Sequence, residues 1–175
     1  MAKEIERRFL LRLPSILDGR KGRVMIQGYL SFKPVTTRVR LIPESGEAFL
    51  TIKGPRVGIE CDEFEYPIPY EDGRQLLALC GSHIVEKTRY EVVENGYTFE
   101  VDVVQGRHDG LFLVELELKD PAANVHIPDW VGEEVSGDYR YSNANLAVCD
   151  RIVATTTGHE FFVSNIAACR QLVNQ

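Results

Sequence analysis

Hydrophobic and polar positions alternate along most of this chain with period two, as expected of β-strands buried on one face. In "KEIERRFLL" (3–11), Glu4, Glu6 and Arg8 share one face, and Ile5, Arg7, Phe9 and Leu11 the other. The same rhythm predicts strands over 3–13, 24–33, 36–43, 47–53, 60–68, 84–94, 97–105 and 111–119. Turn-forming residues separate them, in "PSILDGRKG" (14–22), "PESGE" (43–47), "GPRVG" (54–58) and 106–110. Asn95-Gly96, between two alternating runs, predicts a tight hairpin. Eight strands joined mostly by short turns make a largely antiparallel sheet. Two stretches read as helices: 71–81, ending at Gly81, and 142–153, with Ser142 as N-cap.

The polar faces are unusually charged. Arg38 and Arg40 alternate with Val39 and Leu41; Thr51 and Lys53 with Leu50 and Ile52; Glu63 and Glu65 with Phe64 and Tyr66. Lys87 and Arg89, Glu100 and Asp102, and Glu115 and Glu117 repeat the arrangement farther along. A solvated outer face explains any single strand of this kind. Across the set, however, acids and bases are grouped by strand, and eight antiparallel strands suffice to close a barrel. With the apolar face outward under helices, the charges line a lumen. Burying so many charges is costly unless they are paired or neutralised by a ligand. Clustered carboxylates suit hard divalent cations such as Mg²⁺ or Mn²⁺, and clustered Arg and Lys suit a polyphosphate. The expected fold class is thus α+β, mostly β: a closed eight-stranded antiparallel barrel with a few flanking helices.

Composition narrows the function. The chain has 175 residues, 44% hydrophobic and 26% charged, which fits one soluble domain with a real core. A net charge of -6 argues against general affinity for nucleic acid or anionic membrane. The N-terminus is charged and no apolar run is long enough to span a bilayer, so a cytoplasmic protein is expected. Cys61, Cys80, Cys149 and Cys169 are scattered and read as reduced, structural thiols. His83, His108, His126 and His159 share no ligand spacing and read as surface residues. Trp130 reads as a packing anchor.

The charged motifs, taken in order, resemble the CYTH superfamily, the triphosphate tunnel metalloenzymes. "EIERRFL" is similar to its E-x-E-x-K signature, with Arg8 in place of the usual Lys. "QGYL" (27–30), "RVRL" (38–41), "LTIK" (50–53), "DEFEYPI" (62–68), "VEKTRY" (85–90), "FEVDVV" (99–104), "LVELEL" (113–118) and "GEEVSGDYRYSNANLA" (132–147) follow in the family's order. The resemblance implies a tunnel domain over 1–153, open at both ends, and leaves 154–175 as a tail, with a short helix in "SNIAACRQLVN" packed on the barrel. It implies divalent metal, Mg²⁺ or Mn²⁺, on Glu4, Glu6, Glu115 and Glu117. Arg8, Arg38, Arg40, Lys53, Lys87 and Arg89 would hold phosphate oxygens, with Tyr29 and Arg140 as further substrate contacts. Glu4, Glu6, Arg8, Lys87 and Arg89 would carry catalysis.

The expected reaction is hydrolysis of a small-molecule triphosphate, inorganic tripolyphosphate first, by a monomer or homodimer without nucleic-acid or membrane partners. Nucleotide chemistry in the same tunnel (ATPase, thiamine triphosphatase or class IV adenylate cyclase) and a non-catalytic polyphosphate or nucleotide sensor remain alternatives.

Overall fold

The computed structural model describes residues 3–152. The predicted tail, with its terminal helix, His159 and Cys169, lies outside the described residues. Eight long strands match the eight predicted: β1 (Lys3–Leu11), β2 (Arg23–Ser31), β3 (Thr36–Ile42), β4 (Glu47–Lys53), β5 (Glu60–Ile68), β6 (Ile84–Glu94), β7 (Tyr97–Val104) and β8 (Phe112–Glu117). All pairings are antiparallel, in the order β5-β4-β3-β2-β6-β7-β8-β1, and β5 returns to β1 to close the barrel. The β6–β7 hairpin turns at Asn95 and Gly96, both at positive φ (53° and 80°), which matches the right-handed twist of its strands.

Closure is shared unevenly along β1. One of its edges pairs with β8 from Glu6 to Leu10. On the other, β5 pairs only with Lys3, Glu4 and Ile5. A short ninth strand, β9 (Val131–Glu134), takes the rest, opposite Phe9 and Leu11. "VGEE" was not predicted as a strand because it has no alternation; an open edge of β1 supplies its partner.

The helix α1 (Tyr70–Leu79) lies on the outer face of β2, β3 and β4. Two glycines allow the close approach. A Cβ on Gly73 would stand 2.6 Å from the Ala48 Cβ, and one on Gly28 would stand 2.6 Å from the Cys80 Sγ. The second predicted helix is shorter than expected: α2 runs only over Asn143–Leu146, N-capped by the Ser142 hydroxyl. Beyond it, the backbone finds distant partners. The Arg107 guanidinium donates to the Ala147 and Cys149 carbonyls, and the Ile152 N–H donates to His108 Nδ1. His108 is therefore not a surface residue. It is 2% exposed, and its Nε2 stands 2.8 Å from the Leu146 carbonyl. With Nδ1 accepting, the proton is on Nε2.

Apolar residues form two clusters. One covers the outside of β1, β7 and β8, where Phe9, Phe99 and Leu116 pack with Trp130. The Trp130 ring meets Phe99 edge-on and its indole N–H donates to Glu94. The second cluster is on the inner face. Strand alternation places Leu10, Val85, Val104 and Leu113 on the same side as Arg8, Lys87, Asp102 and Glu115. Those four pack with Val135, Tyr141, Leu146 and Ile152. The segment 135–152 thus straps across the barrel where its lining turns apolar. Among the described residues no helix is long and apolar enough to cross a membrane.

Candidate active site

The inner faces enclose a cavity of about 980 Å³. Of the predicted site residues, Glu4, Glu6, Arg8, Tyr29, Arg38, Arg40, Lys53, Arg89, Glu115 and Glu117 line it. Lys87 and Arg140 do not line it. Lys87 is 1% exposed and bonded to Asp102 below the cavity wall, and Arg140 is bound to Asp138 at the strap. Alternation brings the ten together, because each stands on the inner side of a strand or one step from its end.

One wall is acidic. β1 and β8 set Glu6 directly opposite Glu117, and β7 and β8 set Glu100 opposite Glu115. Like charges at such positions repel. Cations hold them. Arg8 bridges Glu6 and Glu115, at 2.9 Å from the latter, and Arg89 binds Asp102, Glu100 and Glu115. Lys53 donates to Glu4 at 2.7 Å, and Arg56 and the Cys61 thiol donate to its other oxygen at 3.0 and 3.1 Å. Burial pushes Glu6 up to about 7 against the pull of Arg8, with Glu115 and Glu4 adding to the rise. Burial also opposes ionisation of Glu4, but Lys53, the Cys61 thiol and Arg56 together outweigh it and hold that carboxyl down to about 2. Glu115, buried among Lys87, Arg8 and Arg89, is held well below the usual carboxylate range.

The opposite wall is basic. Arg38 donates to Thr51 at 3.1 Å and to Glu65 at 3.2 Å. Arg40 reaches the same Glu65 only at 3.9 Å. The Nε–H groups of both guanidiniums are buried and have no acceptor among the described residues. Burial, then Arg38 and Arg89, depress Arg40 to about 10. Positive charge here is under-compensated, and an anion would relieve it. Burial pushes the Tyr29 phenol up to about 12, so it stays protonated; it accepts from Gln27 at 3.2 Å.

The acidic wall suits a hard cation in kind, because all its donors are carboxylates. Among the described residues no three acidic, His or Cys side chains already stand together as a ligand set. Their oxygens are spent on Arg8, Lys53 and Arg56, and a cation would take over from those partners. The directly opposed Glu6 and Glu117, and the raised Glu6, are what a divalent cation would relieve.

Several cavity residues escaped the strand argument, Arg56 and Asn143 among them. Arg56 belongs to the "GPRVG" turn and Asn143 to the strap, and period-two alternation says nothing about either. Cys61 and Cys80 are buried free thiols, as expected, and Cys149 is buried.

Known proteins agree with this architecture. The CYTH domain model matches residues 2–148. The inorganic triphosphatase of Acetivibrio thermocellus is 41% identical over 148 residues, covering 83% of this chain and 94% of that protein. The inorganic triphosphatase of Nitrosomonas europaea is 38% identical over 149 residues, covering 83% and 97%. A crystal structure of an inorganic triphosphatase superposes with a TM-score of 0.59 at 35% identity, over 82% of this chain and 96% of that one. A putative adenylyl cyclase from Hippeastrum, described as having dominant triphosphatase activity, shares the fold at 15% identity and a TM-score of 0.53. With a closed eight-stranded barrel, opposed acidic and basic inner walls and a family match over most of its length, this chain belongs to the CYTH domain family.

Proposed function

We propose that the protein is a divalent-metal-dependent triphosphatase whose preferred substrate is inorganic tripolyphosphate. The observation that carries this reading is the pair of buried, acceptor-less Nε–H donors on Arg38 and Arg40, facing an acidic wall across one cavity. The resemblance to two inorganic triphosphatases supports the same substrate class.

Phosphoryl transfer to water needs positioning and charge neutralisation more than covalent help. Arg38, Arg40 and Lys53 would grip the phosphate oxygens on the basic side. Arg8 and Arg89, which stand between the walls, would follow charge as it shifts toward the leaving group. Glu4, Glu6, Glu115 and Glu117 would hold Mg²⁺ or Mn²⁺, which when bound supplies charge neutralisation and a more acidic water. Glu6, besides its place among those carboxylates, would orient a water for attack. Lys87 acts from beneath the wall, by fixing Asp102 and through it Arg89. Tyr29 offers a phenol O–H to substrate, and Arg140 steadies the strap through Asp138.

A nucleoside finds little waiting for it. Phe32 lines the cavity, but its ring is stacked on Tyr29 and met edge-on by His83. Freeing it would cost those contacts. The test is phosphate release from tripolyphosphate, ATP, thiamine triphosphate and pyrophosphate with Mg²⁺ or Mn²⁺, with cyclic AMP measured in parallel. Tripolyphosphate should exceed ATP in kcat/KM by at least about tenfold, roughly 1.4 kcal/mol. Equal turnover of ATP, or cyclic AMP formation, would move the protein to nucleotide chemistry. Glu4→Gln and Glu6→Gln should abolish metal-dependent turnover while the fold persists.

A further inference from the structure

The strap contributes one side chain to the acidic wall that no strand pattern foretells. Asn143 is 9% exposed and lines the cavity. Its Nδ2 donates to Glu115 Oε1 at 3.1 Å. That orientation of the amide is dictated by its neighbour, because an ionised carboxylate accepts and cannot donate. The other end of the same amide, Oδ1, is buried and has no partner among the described residues. A buried carbonyl oxygen left unpaired is costly, because it gives up water and gains no donor in return. Asn145, two residues on, also has a buried Oδ1 without a partner among the described residues, but it spends its amide N–H on the Arg140 carbonyl within the strap, whereas Asn143 lines the cavity and bonds Glu115.

We propose that Asn143 completes the cation site from the strap, its Nδ2 fixing the Glu115 carboxylate and its Oδ1 serving as a neutral oxygen donor to the divalent cation. This rests on the metal-dependent reading above. The chemistry is that of a hard-cation site, in which amide carbonyls join carboxylates. A neutral donor fits here because the acidic wall already carries two directly opposed carboxylate pairs, and a further charge would worsen their repulsion. Asn143 also ties the cation to the strap, so the strap and the metal form one unit.

The test is Mn²⁺ binding to the full chain, followed by the electron paramagnetic resonance signal of free Mn²⁺, with thermal melts to verify folding. Asn143→Ala should weaken Mn²⁺ binding at least about tenfold, the usual effect of losing such a partner. Asn143→Asp keeps an oxygen in the place of Oδ1 and should bind within threefold of the parent or more tightly. A folded Ala variant within threefold of the parent overturns the proposal. Equal losses in Ala and Asp overturn it too, because an oxygen at that position would then not matter. Should the Ala variant fail to fold, Asp decides alone: within threefold or tighter supports the proposal, and a greater loss overturns it. A parent that binds no Mn²⁺ sinks the metal-dependent reading and this inference together, whereas a binding parent with indifferent variants sinks only the inference.

Discussion

Single charged residues in the lumen fall into two kinds, and removing them should have opposite effects. Lys87 and Arg89 are spent on buried carboxylates: Lys87 on Asp102, and Arg89 on Asp102, Glu100 and Glu115. Deleting Lys87 leaves buried Asp102 to Arg89 alone, one cation short. Lys87→Met should therefore cost about 1–3 kcal/mol of stability by urea denaturation of the empty protein. Arg40 is the reverse case, crowded by Arg38 and Arg89 and reached by Glu65 only at 3.9 Å. Arg40→Met should leave the empty protein as stable as the parent or more so, by about 1 kcal/mol. Its loss should appear with ligand: the rise in Tm on adding tripolyphosphate should shrink, in line with affinity weakened about tenfold, or roughly 1.4 kcal/mol. A destabilised Arg40→Met protein with an unchanged ligand response would make Arg40 a structural cation. At this scale most of the site was legible in the sequence, because alternation assigns a side chain to a face without knowledge of its contacts. What stayed hidden was partnership. Nothing in "VEKTRY" tells that Lys87 is sealed against Asp102, and nothing in "GPRVG" tells that Arg56 reaches Glu4.

Elements show the same division between local and distant causes. The eight strands were readable because each has its own rhythm, and α1 because it ends in a glycine. β9 and the early end of α2 were not readable. The first exists because β5 leaves part of the β1 edge open, and the second because Arg107 and His108 capture the chain beyond Leu146. Two expectations follow for these elements. At the α1 contact, Gly73→Val should destabilise by about 1–3 kcal/mol, since the new side chain would be driven into Ala48 and Leu41. At the strap, burial lowers the His108 pKa from its usual 6.5, against the pull of its bond to Leu146. The folded state then binds fewer protons than the unfolded state between the lowered value and 6.5. The contribution of His108 to stability is complete above pH 6.5 and is lost as pH falls through that window. The Tm difference between the parent and His108→Ala should be constant above about pH 7 and shrink below it. A difference independent of pH would mean that the ring does not titrate with folding.

The whole molecule is a barrel with chemistry on its inner wall and its apolar surface on the outside, the inverse of the usual arrangement for a small β protein. Its inner charges are extensively paired, yet carboxylates collect on one wall and Arg38 and Arg40 on the other, and that grouping suits a metal and a phosphate chain in one cavity. At one end the described lining is apolar, where Leu10, Val85, Val104 and Leu113 meet the strap. Such a surface offers a phosphate anion no partner, so the charged end is the expected doorway for substrate and product alike. A polyphosphate of many units should not thread through; it should be offered by its tip and nibbled from there. Long chains should therefore yield short fragments from the first turnovers while the bulk of each chain keeps its length, as polyacrylamide gels of end-labelled polyphosphate would display. Mid-length cuts at early times would require a second opening.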